Sequence, residues 1–257
     1  MQIDINCDMG ESFGHYKLGN DLALLEYVTS ANVACGFHAG DPLVMSETVK
    51  LALDKDVAVG AHPSYPDLQG FGRRKMEMTA AEIEAFILYQ IGALSAFVHA
   101  QGATLTHVKA HGALYNVAAL EMPVAEAIAR AIARFDQTLI MVVLATSPLM
   151  IEAGQRAGLQ VAREAFADRA YNADGTLVNR KLPNSLITDP VKATEQVVRL
   201  VKKGEIMASD GSILELQADT VCIHGDGPTA LEIARHLSET LAAENIKTCA
   251  LQKQGRN

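Results

Sequence analysis

Short apolar runs of strand length alternate with amphipathic helical segments along almost the whole chain. Such alternation indicates parallel strands that are connected and covered by helices. The chain of 257 residues therefore predicts one α/β domain over residues 1–257, a distorted TIM-like (β/α) barrel of seven or eight units. An open, doubly wound sheet would give the same alternation. The apolar runs lie near residues 2–7, 31–35, 56–61, 104–109, 139–144, 159–163 and 220–224.

Local signals define several individual elements of this barrel. Thr79 and Glu82 have the spacing of a capping box, which predicts that a helix begins there. Asp41 is a candidate N-cap of another helix. Residues 206–216 predict a small β-hairpin insertion rather than a further barrel unit. Residues 165–187 are polar and poorly periodic, and connections of that length are usually lids or binding loops.

Charge and cysteine usage narrow the class of protein. The net charge is −8 and no run of Lys or Arg is long enough to override it, which argues against a nucleic-acid-binding surface. We expect no apolar stretch to approach membrane-spanning length, and the first residues lack the pattern of a signal peptide. The four cysteines contain no C-x-x-C pair and are typical of reduced thiols. We therefore expect a cytoplasmic protein without membrane or nucleic-acid partners.

Histidines recur where an apolar run gives way to a glycine-rich or polar loop. In a (β/α) barrel the carboxyl ends of the strands meet on one rim, where catalytic sites are built. Several strands that each deliver a histidine to that rim are hard to explain by packing alone. The histidines in this position are His38, His62, His107, His111 and His224.

The first strand carries polar residues on one face. Side chains alternate along a strand, so Asp4, Asn6 and Asp8 point the same way, and Glu11 follows in the next loop. Three polar side chains on a central strand are costly unless they are hydrogen-bonded or functional. Either a structural network or a site would account for them.

A second alternating set occurs in His107-Val108-Lys109-Ala110-His111, whose three polar residues share a face if the strand extends that far. Lys109 could have a lowered pKa there or act as an electrophile. Tyr115 follows as a candidate ligand contact. Glu164 could be functional or simply paired with its neighbour Arg163.

Arg73 and Arg74 follow a short Gly-x-Gly segment, and guanidinium groups suit carboxylates or phosphates. Adjacent arginines are equally typical of a solvated surface. The chain has no G-x-x-x-x-G-K-S/T phosphate loop, which argues against a self-contained ATPase of that type.

Taken together, long stretches of the sequence resemble the LamB/YcsF family, which supplies the A subunit of the bacterial ATP-hydrolysing 5-oxoprolinase. The resemblance spans nearly the whole chain. It is carried by residues 4–14 (DINCDMGESFG), 31–42 (ANVACGFHAGDP), 60–67 (GAHPSYPD), 70–74 (GFGRR), 107–116 (HVKAHGALYN), 164–171 (EAFADRAY) and 224–227 (HGDG).

The resemblance implies ATP-dependent opening of the lactam 5-oxo-L-proline to L-glutamate, together with partner subunits B and C. It also implies a barrel similar to that of the glycoside hydrolase/deacetylase group. Carried over by position, the pocket would contain Asp8, Glu11, His38, His62, Arg73, Lys109, His111 and Glu164.

This chemistry suits the residue types. ATP can activate an unreactive lactam by phosphorylating its carbonyl oxygen, which the partner subunits would assist. A His or Asp base then activates water, and a cation stabilises the developing oxyanion. We expect catalytic roles for Asp8, His38, His62, Lys109 and His111. We expect substrate contacts from Asn6, Glu11, Arg73, Arg74, Tyr115 and Glu164.

Two other functions remain compatible with the sequence. The first is a stand-alone metal-dependent amide hydrolase or deacetylase, in which Asp8, His38 and His62 bind a divalent metal that leaves a position open for water. The second is a non-catalytic subunit that captures 5-oxoproline or a nucleotide for its partners. Spacing alone selects neither, because Asp8, His38 and His62 come from separate segments and form no local H-x-x-x-H pattern among themselves.

Overall fold

A computed structural model of the chain describes residues 1–253. The strands are β1 (Gln2–Met9), β2 (Ser30–Ala34), β3 (Ala58–His62), β4 (His107–Lys109), β5 (Ile140–Leu144), β6 (Gln160–Phe166), β7 (Glu205–Met207), β8 (Ile213–Glu215), β9 (Thr220–Ile223) and β10 (Lys247–Thr248). The helices are α1 (Asp21–Leu24), α2 (Pro42–Asp54), α3 (Ala80–Ala100), α4 (Gly112–Ala118), α5 (Met122–Phe135), α6 (Pro148–Arg156), α7 (Pro190–Lys203) and α8 (Ala230–Ala243). The single domain over 1–257 stays a prediction, and its last four residues lie outside the described part.

Seven parallel strands close into a barrel in the order β1-β2-β3-β4-β5-β6-β9. Closure comes from β9, which pairs with β6 on one side and with β1 on the other, where Asp4 lies opposite Thr220. The short β10 adds to the start of β1, with Gln2 opposite Lys247. The prediction of a TIM-like (β/α) barrel is confirmed, and the alternative of an open sheet is wrong.

The two predicted irregular segments are also present. Strands β7 and β8 form an antiparallel hairpin within the predicted insertion. Strand β6 continues to Phe166, so the long connection to α7 runs over residues 167–189, slightly later than predicted. This segment is held by isolated bridges between Arg169 and Leu186 and between Tyr171 and Leu177. We refer to residues 167–189 as the β6–α7 loop.

Helix α3 begins at the predicted capping box, with Thr79 as N-cap and its hydroxyl accepting from the Glu82 backbone N–H. The helix has 21 residues and is apolar enough, by length and composition, to cross a membrane. The expectation that no apolar stretch reaches that length is therefore wrong. One face of α3, including Ile87 and Ile91, is buried against the rest of the fold, where α3 packs on α5 and β3. Helix α3 is thus one of the helices that cover the barrel.

Polar side chains of β1 point into the barrel interior. The Asp4 carboxylate accepts hydrogen bonds from the Thr29 and Ser30 hydroxyls at 2.7 Å each, and from Thr220. Burial raises the pKa of Asp4, and these hydroxyl bonds partly offset the effect. The Asn6 amide donates to Thr220 at 2.7 Å. The amino-terminal half of this face of β1 is therefore a hydrogen-bonded structural network. The carboxyl-terminal half leads to the site described below.

Gly60 in β3 is required by close packing inside the barrel. An alanine Cβ at this position would overlap the imidazole ring of His107, its neighbour on β4. We expect Gly60→Ala to destabilise the protein by about 1–3 kcal/mol, the usual cost of overpacking a core. Chemical denaturation measures this change. Gly92→Ala in α3 is the control. Apart from its chain neighbours and the adjacent backbone of the helix, no atom of residues 1–253 would lie within 4 Å of the added Cβ, and a helical glycine-to-alanine change stabilises. Equal stability changes in the two variants would contradict the proposed overlap.

Candidate functional site

A cavity of about 740 Å³ opens at the carboxyl ends of the barrel strands. Its walls include side chains from β1, β3 and β4 and from the β6–α7 loop, which contributes residues 176–181. Seven of the expected site residues line it, namely Asp8, Glu11, His62, Arg73, Lys109, His111 and Tyr115. His38 and Glu164 lie directly behind this lining, in contact with it. The strand ends thus bring together nearly all the residues that the sequence singled out.

Lys109 is the central cation of the cavity floor. Its ammonium group lies 2.9 Å from an Asp8 oxygen and 2.9 Å from a Glu164 oxygen, with its side chain 3% exposed. It also donates to Asn6 Oδ1 at 3.3 Å and contacts Cys222 Sγ at 3.0 Å. Burial alone would lower the pKa of Lys109, but the surrounding negative groups, Asp8 foremost, raise it well above its usual range. The structure therefore favours a permanently charged electrophile over a lysine with a lowered pKa.

Asp8 connects Lys109 with the histidines. Its Oδ1 accepts from Asn32 Nδ2 at 2.8 Å, and its Oδ2 lies 3.3 Å from His62 Nε2. Burial would raise the pKa of Asp8, but His62 and Lys109 lower it well below its usual range. Asp8 is therefore ionised at neutral pH and can accept a proton or a hydrogen bond in the cavity.

Glu11 and three imidazoles form a compact group, which we call the histidine cluster: Glu11, His38, His62 and His111. The His38 and His111 rings stack with their centroids 3.8 Å apart. Glu11 Oε1 lies 3.7 Å from His38 Nε2 and 3.7 Å from His111 Nδ1. All four residues are buried, and their ligand atoms lie within 4.8 Å of one another. Residues from β3 and from the loops after β1, β2 and β4 thus converge on one point.

A second group of potential ligands consists of Asp8, Cys222 and His224. Its histidine is already engaged, because His224 Nδ1 lies 2.8 Å from the Asp168 carboxylate. The sequence predicted metal binding by Asp8, His38 and His62 together. In the structure His38 and His62 belong to the histidine cluster and Asp8 to the second group, although Asp8 lies 3.3 Å from His62. Burial raises the pKa of Cys222 well above its usual range, so this thiol stays protonated.

Glu164 and Tyr115 form one wall of the cavity. The Tyr115 hydroxyl donates to Glu164 Oε2 at 2.8 Å, and Glu164 Oε1 pairs with Lys109. Burial and the adjacent carboxylate raise the pKa of Tyr115 well above its usual range, so the phenol remains a donor. The sequence left open that Glu164 is simply paired with its neighbour Arg163. This pair does not form, and Arg163 contacts Gln217 instead.

The side chains of the two adjacent arginines, Arg73 and Arg74, lie in different surroundings. Arg73 lines the cavity, lies over the Phe71 ring at 4.7 Å and pairs with Asp226 at 2.6 Å. Arg74 pairs with Asp67 instead and lies outside the cavity lining. Asn6 also lies beneath the lining, where it contacts Lys109 from below. Arg73 is thus placed to meet a ligand, whereas Arg74 and Asn6 support the surrounding structure.

Sequence reasoning missed Asn32, which links the interior network. Its amide donates to Asn6 and to Asp8, while its oxygen lies 2.8 Å from His107 Nε2. Burial, with the nearby Lys109 charge, lowers the pKa of His107 to about 3, so this ring is neutral and donates to Asn32. A signal was available, because an asparagine inside the apolar run Ala31–Ala34 is as unusual as Asn6 in β1.

Known proteins similar to this chain share most of its length. The LamB/YcsF family profile matches residues 3–256. The A subunit of 5-oxoprolinase from Bacillus licheniformis is 54% identical over 97% of this chain and 98% of its own length. The protein of the same name from Methylococcus capsulatus is 55% identical over 97% of this chain and 95% of its own length.

Among solved structures, the lactam utilization protein from Thermus thermophilus superimposes with a TM-score of 0.93. It is 47% identical, and the match covers 98% of this chain and all of that protein. A family 4 carbohydrate esterase from Streptomyces lividans matches much more distantly, with 12% identity and a TM-score of 0.46 over 98% of this chain and 93% of its own.

Proposed function

Because the chain belongs to the LamB/YcsF family, we propose that it is the A subunit of an ATP-dependent 5-oxoprolinase, which opens 5-oxo-L-proline to L-glutamate. The names of its relatives support a lactam substrate and an assembly of several subunits. Within the chain, the strongest support is the buried Lys109 held at 2.9 Å from Asp8 at the floor of the cavity. This pair places a fixed positive charge beside an ionised carboxylate, as amide hydrolysis requires.

Each group has a role in the proposed reaction. Water attacks the carbonyl carbon of the activated lactam, and Asp8 accepts a proton from that water. The ring C–N bond then breaks, and the departing nitrogen takes up the proton and becomes the amino group of glutamate. Lys109 stabilises the negative charge at the former carbonyl oxygen. Asn32 and Glu164 hold these two groups in place, since each bonds to one of them.

ATP enters this proposal through the partner subunits. Phosphorylation of the lactam oxygen would release ADP and make the carbonyl carbon more electrophilic. Attack of water and cleavage of the C–N bond would then leave an acyl phosphate, and its hydrolysis by a second water would give glutamate and inorganic phosphate. The chain has no G-x-x-x-x-G-K-S/T loop, so we propose that subunits B and C supply the site for phosphoryl transfer. We place this assembly in the cytoplasm, where ATP is available.

Reconstitution tests the proposal. The purified chain, the partner subunits and their mixture are each incubated with 5-oxoproline and ATP, and released glutamate and ADP are measured. We expect little glutamate from the chain alone and sustained, ATP-dependent release from the mixture. Robust ATP-dependent turnover by the isolated chain would contradict the need for partners. Amide hydrolysis by the isolated chain without ATP would instead support a stand-alone hydrolase. Turnover by the partners alone would instead support a non-catalytic role for this chain, in which it captures 5-oxoproline or a nucleotide.

Arg73 provides a test of substrate binding with a matched control next to it. We expect Arg73→Gln to raise KM for 5-oxoproline roughly 10–100-fold, because a charge-assisted bond to the substrate carboxylate contributes about 1.5–3 kcal/mol. Arg74→Gln should leave KM unchanged, since that side chain is 65% exposed and faces Asp67 outside the cavity. Steady-state kinetics of the reconstituted enzyme measures both. Similar KM values for the two variants would remove Arg73 from the binding site.

A further inference from the structure

The histidine cluster (Glu11, His38, His62 and His111) contains buried polar atoms that the described part of the chain does not satisfy. Within residues 1–253, Glu11 Oε1 and both ring nitrogens of His38 have no hydrogen-bond partner. The His38 side chain is fully buried and that of Glu11 is 7% exposed. Leaving buried polar groups unpaired is costly, and native proteins rarely do so without a reason.

Hydrogen bonds to backbone carbonyls determine the tautomers of the other two histidines. His62 Nδ1 lies 2.7 Å from the Lys109 carbonyl oxygen, and His111 Nε2 lies 2.9 Å from the Phe71 carbonyl oxygen. A carbonyl only accepts, so the N–H group of each neutral ring must be on that outer nitrogen.

The inner nitrogens, His62 Nε2 and His111 Nδ1, therefore carry lone pairs and face each other at 3.0 Å. His62 Nε2 also faces Asp8 Oδ2 at 3.3 Å. Lone pairs arranged in this way repel one another unless a positive charge lies among them.

We propose that the histidine cluster binds one divalent transition-metal ion of the zinc class. The three imidazole nitrogens and one carboxylate oxygen are donors that zinc accepts, whereas magnesium and calcium prefer oxygen. Four bonds of about 2.0–2.2 Å in a tetrahedron place donor atoms about 3.3–3.6 Å apart. The separations of 3.0 Å between His62 Nε2 and His111 Nδ1 and of 3.7 Å between His111 Nδ1 and Glu11 Oε1 lie on either side of this range, and all four donor atoms lie within 4.8 Å of one another.

The two carbonyl bonds provide the outer support that metal-binding histidines usually have, because each holds a ring with its free nitrogen turned inward. The cluster borders the same cavity as Lys109 and Asp8. A role of the bound ion in the reaction therefore rests on the proposed function. Binding of the ion does not itself require lactam chemistry.

A protonated His62 is the competing explanation. An imidazolium would donate to Asp8 and to His111 and would remove the repulsion between those atoms. It would still leave the His38 nitrogens and Glu11 Oε1 unpaired, however, since among residues 1–253 none of these atoms has a hydrogen-bond partner. The two explanations differ in whether His38 and Glu11 matter for binding of a cation.

Titration of the chelator-treated, full-length chain with Co²⁺ and with Zn²⁺ tests the proposal. We expect one equivalent of bound metal by elemental analysis, visible Co²⁺ absorption and a raised Tm. His38→Gln and Glu11→Gln should each weaken binding at least about tenfold, the lower end of the usual loss at such sites, and circular dichroism of the metal-free variants checks folding. His224→Gln is the matched control from the second group and should bind like the unaltered chain.

Failure to bind either ion would overturn the proposal, as would binding that survives both His38→Gln and Glu11→Gln. Loss of binding only in His224→Gln would move the site to the second group and overturn it as well. None of these measurements uses 5-oxoproline. Metal binding without lactam turnover would therefore count against the proposed function alone, and turnover by a metal-free assembly that binds no ion would count against this inference alone.

Discussion

Lys109→Met is expected to reduce the rate of the reconstituted reaction by about 10²–10³-fold, the effect of removing one oxyanion donor at about 2.7–4 kcal/mol. Methionine keeps the length and apolar stem of the side chain but removes the charge that lies 2.9 Å from Asp8. The loss should be in kcat rather than in KM, because the oxyanion develops only in the transition state. Single-turnover rates measure it.

Stability must be measured alongside, because Lys109 is buried between two carboxylates. Lys109 does not lie on an open rim: it is 2% exposed and paired with Glu164, so we expect its loss to destabilise the fold. Breaking a buried ion pair on one side typically costs about 3–5 kcal/mol.

The double variant Lys109→Met/Glu164→Gln separates the two effects. It also removes the charge of Glu164, one of the two carboxylates that lose their partner in Lys109→Met. We therefore expect part of the stability lost in Lys109→Met to return while the rate stays low. Full activity in a folded Lys109→Met protein would exclude Lys109 from the mechanism.

Asp8→Asn is expected to lower kcat by about 10²–10⁴-fold, the usual contribution of a general base. Asparagine fits the same space and can still accept from Asn32, but it cannot take a proton from water. Because the pKa of Asp8 lies well below its usual range, Asp8 remains ionised in mild acid. The unaltered enzyme should therefore show no loss of rate from Asp8 protonation on moderate acidification.

Asp67→Asn is the control for this substitution. Asp67 is also a buried carboxylate in an ion pair, with Arg74, but it lies outside the cavity lining. We expect a moderate loss of stability and an unchanged kcat. Comparable losses of kcat in Asp8→Asn and Asp67→Asn would indicate that Asp8 acts only through the fold.

The sequence predicted the fold well where local signals are strong. The Thr79–Glu82 capping box and the Asp41 N-cap depend on residues close together in the chain, and both are present. The expectation of no apolar stretch of membrane-spanning length failed at α3, because this helix is apolar on more than its buried face. Its most apolar window has a mean hydropathy of 1.4, although only 33% of that window is buried. Strand-to-helix alternation could not distinguish a closed barrel from an open sheet, because closure depends on the pairing of β1 with β9, more than 200 residues apart in sequence.

The candidate site was predictable in composition but not in its contacts. Strand ends indicated that Asp8, His62, Lys109 and His111 would meet, since parallel strands share one rim. Which atoms touch depends on the register of neighbouring strands. The pairing of Lys109 with both Asp8 and Glu164, which crosses the barrel, could not be read from spacing. Arg73 and Arg74 likewise looked equivalent until the loop geometry separated them.

The closure of β1 against β9 also bears on how the protein is made. Strand β1 leaves the ribosome long before β9, yet Asp4 reaches the Thr220 hydroxyl only after more than 200 further residues have been synthesised. Until then β1 can pair with β2, but its other edge and its acidic inner face have no partner from β9. Contacts so distant in sequence form slowly and leave strand edges exposed. The nascent chain is therefore vulnerable to aggregation until β9 (Thr220–Ile223) has been synthesised, and a ribosome-bound chaperone would matter most before that point.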